Sequence, residues 1–183
     1  ELESMFGKIQ AKALWDLSLE AVNLCKDLVQ KHQIDCDLQA GIIHADHRQR
    51  FVEGSRAFAE KLQRDYNYSD IRFLDQSALQ RELHSPLYYG GVLNLGAAHL
   101  HPLNYALGLA QAAQQAGAAV YEHSPVLSYS KGTKAEVVLE QGTVTADYLI
   151  LACNGYLDNL EPKVASRVMP INNYIVATKP LTE

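Results

Sequence analysis

The sequence predicts an α/β chain, an α+β mix of helices and short strands arranged in two unequal lobes. Three observations carry this. Leu14, Leu17, Ala21, Leu24 and Leu28 recur at helical spacing, so the chain opens on a long amphipathic helix. The stretch "VLSYSKGTKAEVVLEQGTVTA" reads as short strands broken by turns at "KGT" and at Gly142, the pattern of an antiparallel meander. "DYLILAC" is an almost continuous apolar run, which suits a central parallel strand buried on both faces.

The other elements follow in order. The first helix ends near His32, and "CDLQAGIIHAD" reads as a short strand in which Gly41 marks a bend or a close backbone approach. Helical period returns through Phe51, Phe58 and Leu62. "IRFLD" is a strand, and Asp75 is placed to cap the helix in "DQSALQRELH". "LYYGGVLNLGAAHLHP" is extended and glycine-rich. Pro102 then takes the first helical position, where its missing N–H costs nothing, and Gly117 ends that helix. Leu103, Ala106, Leu107, Ala110 and Ala113 form its apolar face. "AAVYE" reads as a short buried strand, so the meander is an excursion between it and the parallel strand "DYLILAC", and "MPINNYIVATKPL" reads as a last strand.

With 48% hydrophobic and 20% charged residues, 183 residues bury a core without disulfide staples. A net charge of −5 and the lack of any Lys/Arg cluster set nucleic-acid partners aside. Cys25, Cys36 and Cys153 are odd in number and lack C-x-x-C spacing, which fits a reducing, cytoplasmic setting better than a disulfide framework. No apolar run reaches the roughly 18 residues a membrane span needs, and no signal peptide is visible. The chain starts on Glu1 in mid-helix and stops at "VATKPLTE" without a closing element, as expected of a piece of a longer protein.

Residue chemistry alone is sparse. His99 and His101 form an H-x-H pair whose imidazoles share one side of an extended segment. No H-E-x-x-H or Cys/His cluster offers a third metal ligand, so a pocket wall or a hydrogen-bonded histidine competes with a metal site. No G-x-G-x-x-G, Walker-type loop or G-x-S-x-G elbow is present. "ILACNGYL" is more informative. A buried strand that ends in small residues lets the backbone approach a ligand at the carboxyl edge of a sheet, although an ordinary strand-to-helix turn has the same pattern. Cys153 at that end reads as a small packing residue.

Taken in order, "HPLNYALGLAQAAQQAGAAVYEHSPV", the meander, "TADYLILACNGYL" and "VMPINNYIVATKPL" resemble the middle of the D-amino-acid oxidase-like superfamily of FAD-dependent amine oxidoreductases. "HQIDCDLQAGIIHA" and "AAHLHPLN" look most like the branch that oxidises gamma-glutamylputrescine. The resemblance implies a partial FAD/NAD(P)-binding-type lobe with a β-meander plus part of a substrate-binding lobe. Residues 1–95 would belong mainly to the substrate lobe, 96–166 to the FAD lobe, and 167–183 would begin a second substrate-lobe segment. The Gly-rich loop for the pyrophosphate would precede Glu1 and a second flavin-contacting segment would follow Glu183, so FAD binding is expected of the parent rather than of this piece.

By the same resemblance, Val126 would contact the adenine end of FAD through its backbone, and Ala152, Cys153, Asn154 and Gly155 would lie beside the dinucleotide. His99 and His101 would sit near the flavin or substrate cavity, and Asn172 and Asn173 would line it. The implied reaction takes hydride from the carbon next to a small-molecule amine, gamma-glutamylputrescine-like or an N-methyl amino acid, and gives an imine, with electrons passed to oxygen. Two other readings stand beside it: a non-catalytic α/β binding module, and a metal-dependent hydrolase using His99 and His101.

Overall fold

A computed structural model of the chain describes residues 2–169, 171, 172, 174 and 176. They form two compact units, Glu1–Val120 and Tyr121–Glu183.

In the first unit, α1 (Leu2–Lys31) breaks helical geometry at Gly7, whose φ of 79° lies in the left-handed region that glycine tolerates. Next come β1 (Gln39–Ala45), a short 3₁₀ turn, α2 (Val52–Tyr66), β2 (Ile71–Asp75), α3 (Gln76–Leu83), β3 (Gly90–His99) and α4 (Pro102–Gln115). Asp75 caps α3 as its position predicts, with its carboxylate accepting from the Ala78 N–H at 2.8 Å. The three strands make an antiparallel sheet in the order β1-β3-β2, so β3 is hydrogen-bonded on both sides.

Both sheet faces are covered over the middle of β3. On one face Ile71 and Val92 pack with Ala59 and Leu62 of α2 and with Tyr68, flanked by Trp15 and Leu19 of α1. On the other, Leu74 and Leu93 pack with Leu79 of α3. This follows the two-residue alternation of strands: 71 and 92 point one way, 74 and 93 the other. Trp15 sits edge-on to both Tyr66 and Tyr68, with ring centroids 5.6 and 5.3 Å away.

The second unit holds the meander, β4 (Val126–Ser130), β5 (Ala135–Leu139) and β6 (Gly142–Ala146), paired antiparallel in sequence order, then a one-turn helix α5 (Pro162–Ala165).

Several expectations need correction. The face of α1 that meets the core is Ala11, Trp15 and Leu19, whereas Leu14, Leu17 and Leu24 are 43%, 60% and 59% exposed. α1 carries two apolar stripes, and only one has a partner in this unit. On α4, likewise, Leu103 and Leu107 are exposed, and Gly108, about 100° round the helix from Leu107, lies against Ile34. "AAVYE" and "DYLILAC" are not strands. Tyr148 and Ile150 stand 90% and 84% exposed, because a strand of a parallel sheet needs neighbours on both sides and the described residues supply none. Both sheets are therefore antiparallel. The strand expected in "MPINNYIVATKPL" falls largely outside the described residues.

Candidate functional site

The predicted site residues lie in two places, one in each unit. The first is the junction from β3 to α4. His99 ends β3 opposite Gln39 and is exposed. His101 caps α4, its Nδ1 accepting from the Asn104 N–H at 3.3 Å. Its own N–H donates to the Cys36 carbonyl at 2.7 Å, and the Asn104 amide donates to the Asp35 carbonyl at 3.1 Å. One nitrogen of the H-x-H pair is thus committed to a helix end. Among the described residues no three His, Cys, Asp or Glu side chains converge as a metal set would.

Behind His99 the strand is irregular. Ile42 faces Asn94 and Ala40 faces Ala98, so residues 95–97 of β3 stand opposite Gly41 alone. Gly41 adopts φ 96°, which an L side chain resists. Asn94 Oδ1 accepts three hydrogen bonds here, from the Tyr68 hydroxyl at 2.6 Å and from the Gly96 and Ala97 N–H groups at 3.2 Å. Lys26 of α1 donates to the Gly96 carbonyl at 2.8 Å, and the Leu95 N–H to the Asp70 carbonyl at 2.7 Å. Burial pushes the Tyr68 phenol up, and the charge of Asp70 adds to this, so the hydroxyl remains a donor.

The second place is in the 121–183 unit. Val126 opens β4 opposite Leu139, at a register shift. Ala152 follows the unpaired 148–151 run, and Cys153 precedes the 3₁₀ turn Asn154–Tyr156. Asn154 takes a left-handed φ of 51°, and the Tyr156 N–H closes the turn on the Cys153 carbonyl at 3.0 Å. Asn154 and Gly155 line a cavity of about 440 Å³ with Leu157, Asp158, Asn159 and Val168. Val126 is not among its lining residues. Asn172 is exposed and outside any helix or strand, and Asn173 lies outside the described residues.

The open backbone at Ala152 and Gly155 suits a dinucleotide. Neither residue projects bulk beyond a methyl group, and both are exposed. Those residues would meet the cofactor through the main chain.

Glu161 ties this unit together. It accepts from the Tyr129 hydroxyl of β4 and from Lys131 Nζ at 3.0 Å, and these bonds hold its carboxyl down at about 2 against an ordinary 4.5. A depressed folded-state value means that the stabilisation is complete above about pH 4.5 and is lost as pH falls towards 2. The melting temperature of this unit is expected to fall over that window. Glu161→Gln should flatten the acid limb; an unchanged limb would refute the assignment.

Two polar features escaped the sequence reading. Asp46 is only 8% exposed; its Oδ1 accepts from Ser55 at 2.9 Å, while Oδ2 has no partner. The Tyr68–Asn94 bond joins residues 26 apart, with no local pattern to betray it.

Residues 3–183 match the family described as FAD dependent oxidoreductase (DAO). The probable oxidoreductase OrdL of Rhizobium meliloti is 35% identical over 179 residues, covering 97% of this chain and 42% of the relative. Gamma-glutamylputrescine oxidoreductase of Escherichia coli is 33% identical over 183 residues, covering 100% of this chain and 43% of the relative. The chain therefore spans about two-fifths of the length of the curated relatives it matches. Glycine oxidase from Geobacillus kaustophilus superposes with a TM-score of 0.65 at 19% identity, over 85% of this chain and 41% of that one, a likeness of fold. No helix among the described residues is long and apolar enough to cross a membrane. With a match that runs from residue 3 to residue 183, the chain belongs to the FAD-dependent oxidoreductase family of the D-amino-acid oxidase type.

Proposed function

We propose that this chain is the central part of a cytoplasmic, flavin-dependent oxidase of small-molecule amines or amino acids. The observation that carries this is the family match over nearly the whole chain, together with the small-residue turn at 152–155, where the backbone is open to a ligand. When bound, FAD would supply the hydride acceptor for the carbon beside the amine nitrogen, and loss of the nitrogen's proton would leave the substrate as an imine. Residues 152–155 hold the dinucleotide through their main chain, and Val126 meets its adenine end. His99, beside the helix-capping His101, is assigned to the wall of the cavity in which the amine is oriented. Residues 1–95 and 167–183 serve the substrate lobe and 96–166 the flavin lobe.

The 33% identity to the Escherichia coli gamma-glutamylputrescine oxidoreductase makes gamma-glutamylputrescine the first substrate to try, with an N-methyl amino acid such as sarcosine second. Oxygen is the proposed electron acceptor.

The full-length parent is expected to purify yellow, and anaerobic gamma-glutamylputrescine or sarcosine to bleach its visible band. A colourless parent that stays colourless with added FAD would sink the proposal. Gly155→Leu in that parent should weaken FAD binding about tenfold or more, because a branched side chain then stands where the backbone must approach. Retention of FAD at wild-type affinity by this variant would remove residues 152–155 from the site while leaving the flavin assignment intact.

A further inference from the structure

The outward stripe of α1 has the spacing of a helix-packing seam. Leu14, Leu17, Ala21, Leu24 and Leu28 recur at alternating steps of three and four, the repeat that lets one helix lie along another with interlocked side chains. They stand about 100–180° round the helix from Trp15, so they face away from the cluster that Trp15 and Leu19 join. The seam is about 21 Å long. Leu14, Leu17, Ala21 and Leu24 are exposed along it. Beside its N-terminal end opens a cavity of about 500 Å³, lined by Leu2, Leu14, Trp15, Ser18, Phe58 and Leu62, which has room for a bulky apolar side chain.

The two flanks of the seam differ in charge. On one stand Glu20 and Asp27, both exposed and neither in an ion pair among the described residues. On the other stand Ser18 and Cys25, which carry none. Two copies of this chain laid antiparallel along the seam would set acidic flank against acidic flank, which disfavours a second copy as the occupant. The curated relatives offer another source, since this chain covers only 42% and 43% of their length.

We propose that α1 is one half of a two-helix packing, and that the other half is a helix of the parent chain outside residues 1–183. That helix carries apolar residues at the same spacing and Lys or Arg towards Glu20 and Asp27. The proposal rests on the reading of this chain as the central part of a longer enzyme.

The test uses the full-length parent. The Leu17→Cys thiol is expected to react with N-ethylmaleimide about 100-fold more slowly than the Asn23→Cys thiol, because a packed seam is reached only through local opening. Asn23 is exposed and lies off the seam, and mass spectrometry of the peptide 13–26 reads both positions in a Cys25→Ser background. Leu24→Cys repeats the measurement if Leu17→Cys does not fold. Glu20→Lys with Asp27→Lys should speed the Leu17→Cys reaction about tenfold, since cations then face cations. Cys25→p-benzoylphenylalanine, irradiated, should cross-link to a peptide from outside residues 1–183 of the same chain.

Equal alkylation at positions 17 and 23 would overturn the proposal. So would a cross-link within residues 1–183, a covalent dimer, or no cross-link. An unchanged rate in the double lysine variant would overturn the basic flank of the partner helix. FAD uptake is measured on the same samples: a parent without flavin sinks the functional reading, while alkylation and cross-linking decide this proposal by themselves.

Discussion

Gly91→Ala is expected to lower the unfolding free energy of the Glu1–Val120 unit by about 3 kcal/mol, a shift of roughly 10 °C in melting temperature. A Cβ at 91 would stand 2.4 Å from the His44 carbonyl oxygen and 3.2 Å from Ala45 Cα. The obstacle is backbone, so no rotamer change relieves it. β3 cannot slide away either, because Gly91 is paired with Ala45 on one side and with Leu74 on the other. Urea unfolding of wild type and variant measures the effect. Gly54→Ala makes the natural control, since a Cβ there meets nothing within 4 Å and the position is helical. Equal midpoints for Gly91→Ala and wild type would show that the β1–β3 register is misassigned.

Ile71→Ala should cost about 3–4 kcal/mol, the range for a truncated core aliphatic whose site does not collapse. Ile71 is 2% exposed and is enclosed by Ala59, Leu62, Tyr68 and Val92. The β2 backbone, paired to Asn94 at this residue, keeps the cavity from closing. Trp15 is the sole tryptophan and packs on the same cluster, so its fluorescence reports the loss directly. The same truncation at Ile150, which is 84% exposed, should change stability by no more than about 0.5 kcal/mol. Similar costs at the two positions would mean that burial has been assigned to the wrong segment.

Local signals were legible in the sequence. Asp75 announced the start of α3, Pro102 and Gly117 bracketed α4, and Gly142 placed the last turn of the meander. Each is a short-range preference that the backbone obeys wherever the segment ends up. Partnership was much harder to read. Leu14, Leu17 and Leu24 advertise an apolar stripe as plainly as Ala11, Trp15 and Leu19 do, and spacing does not say which stripe finds a neighbour. "DYLILAC" shows the composition of a doubly covered strand, but composition expresses a need for cover and cannot supply it.

The site divided in the same way. The small residues proposed at 152–155 stand out in the sequence because they are contiguous. His101 was visible by its type, though its bond to the Asn104 N–H makes it a helix cap. Asp46 and the Tyr68–Asn94 pair were invisible, since what marks them is burial and a partner brought from elsewhere in the chain.

The place of β3 in its sheet has a mechanical consequence. It is the middle strand, and two residues after it ends the chain enters α4. Tension arriving through α4 meets first Ala98 and His99, which β1 alone pairs, and past the bulge the 91–94 stretch, which is paired on both edges. Two ladders resist it in shear, with their bonds loaded together, whereas an outer strand would peel one bond at a time. Rupture under force depends on the rate of crossing the unfolding barrier rather than on the equilibrium balance. The chain that leaves α4 is thus tied, through β3, to the doubly paired middle of the first sheet.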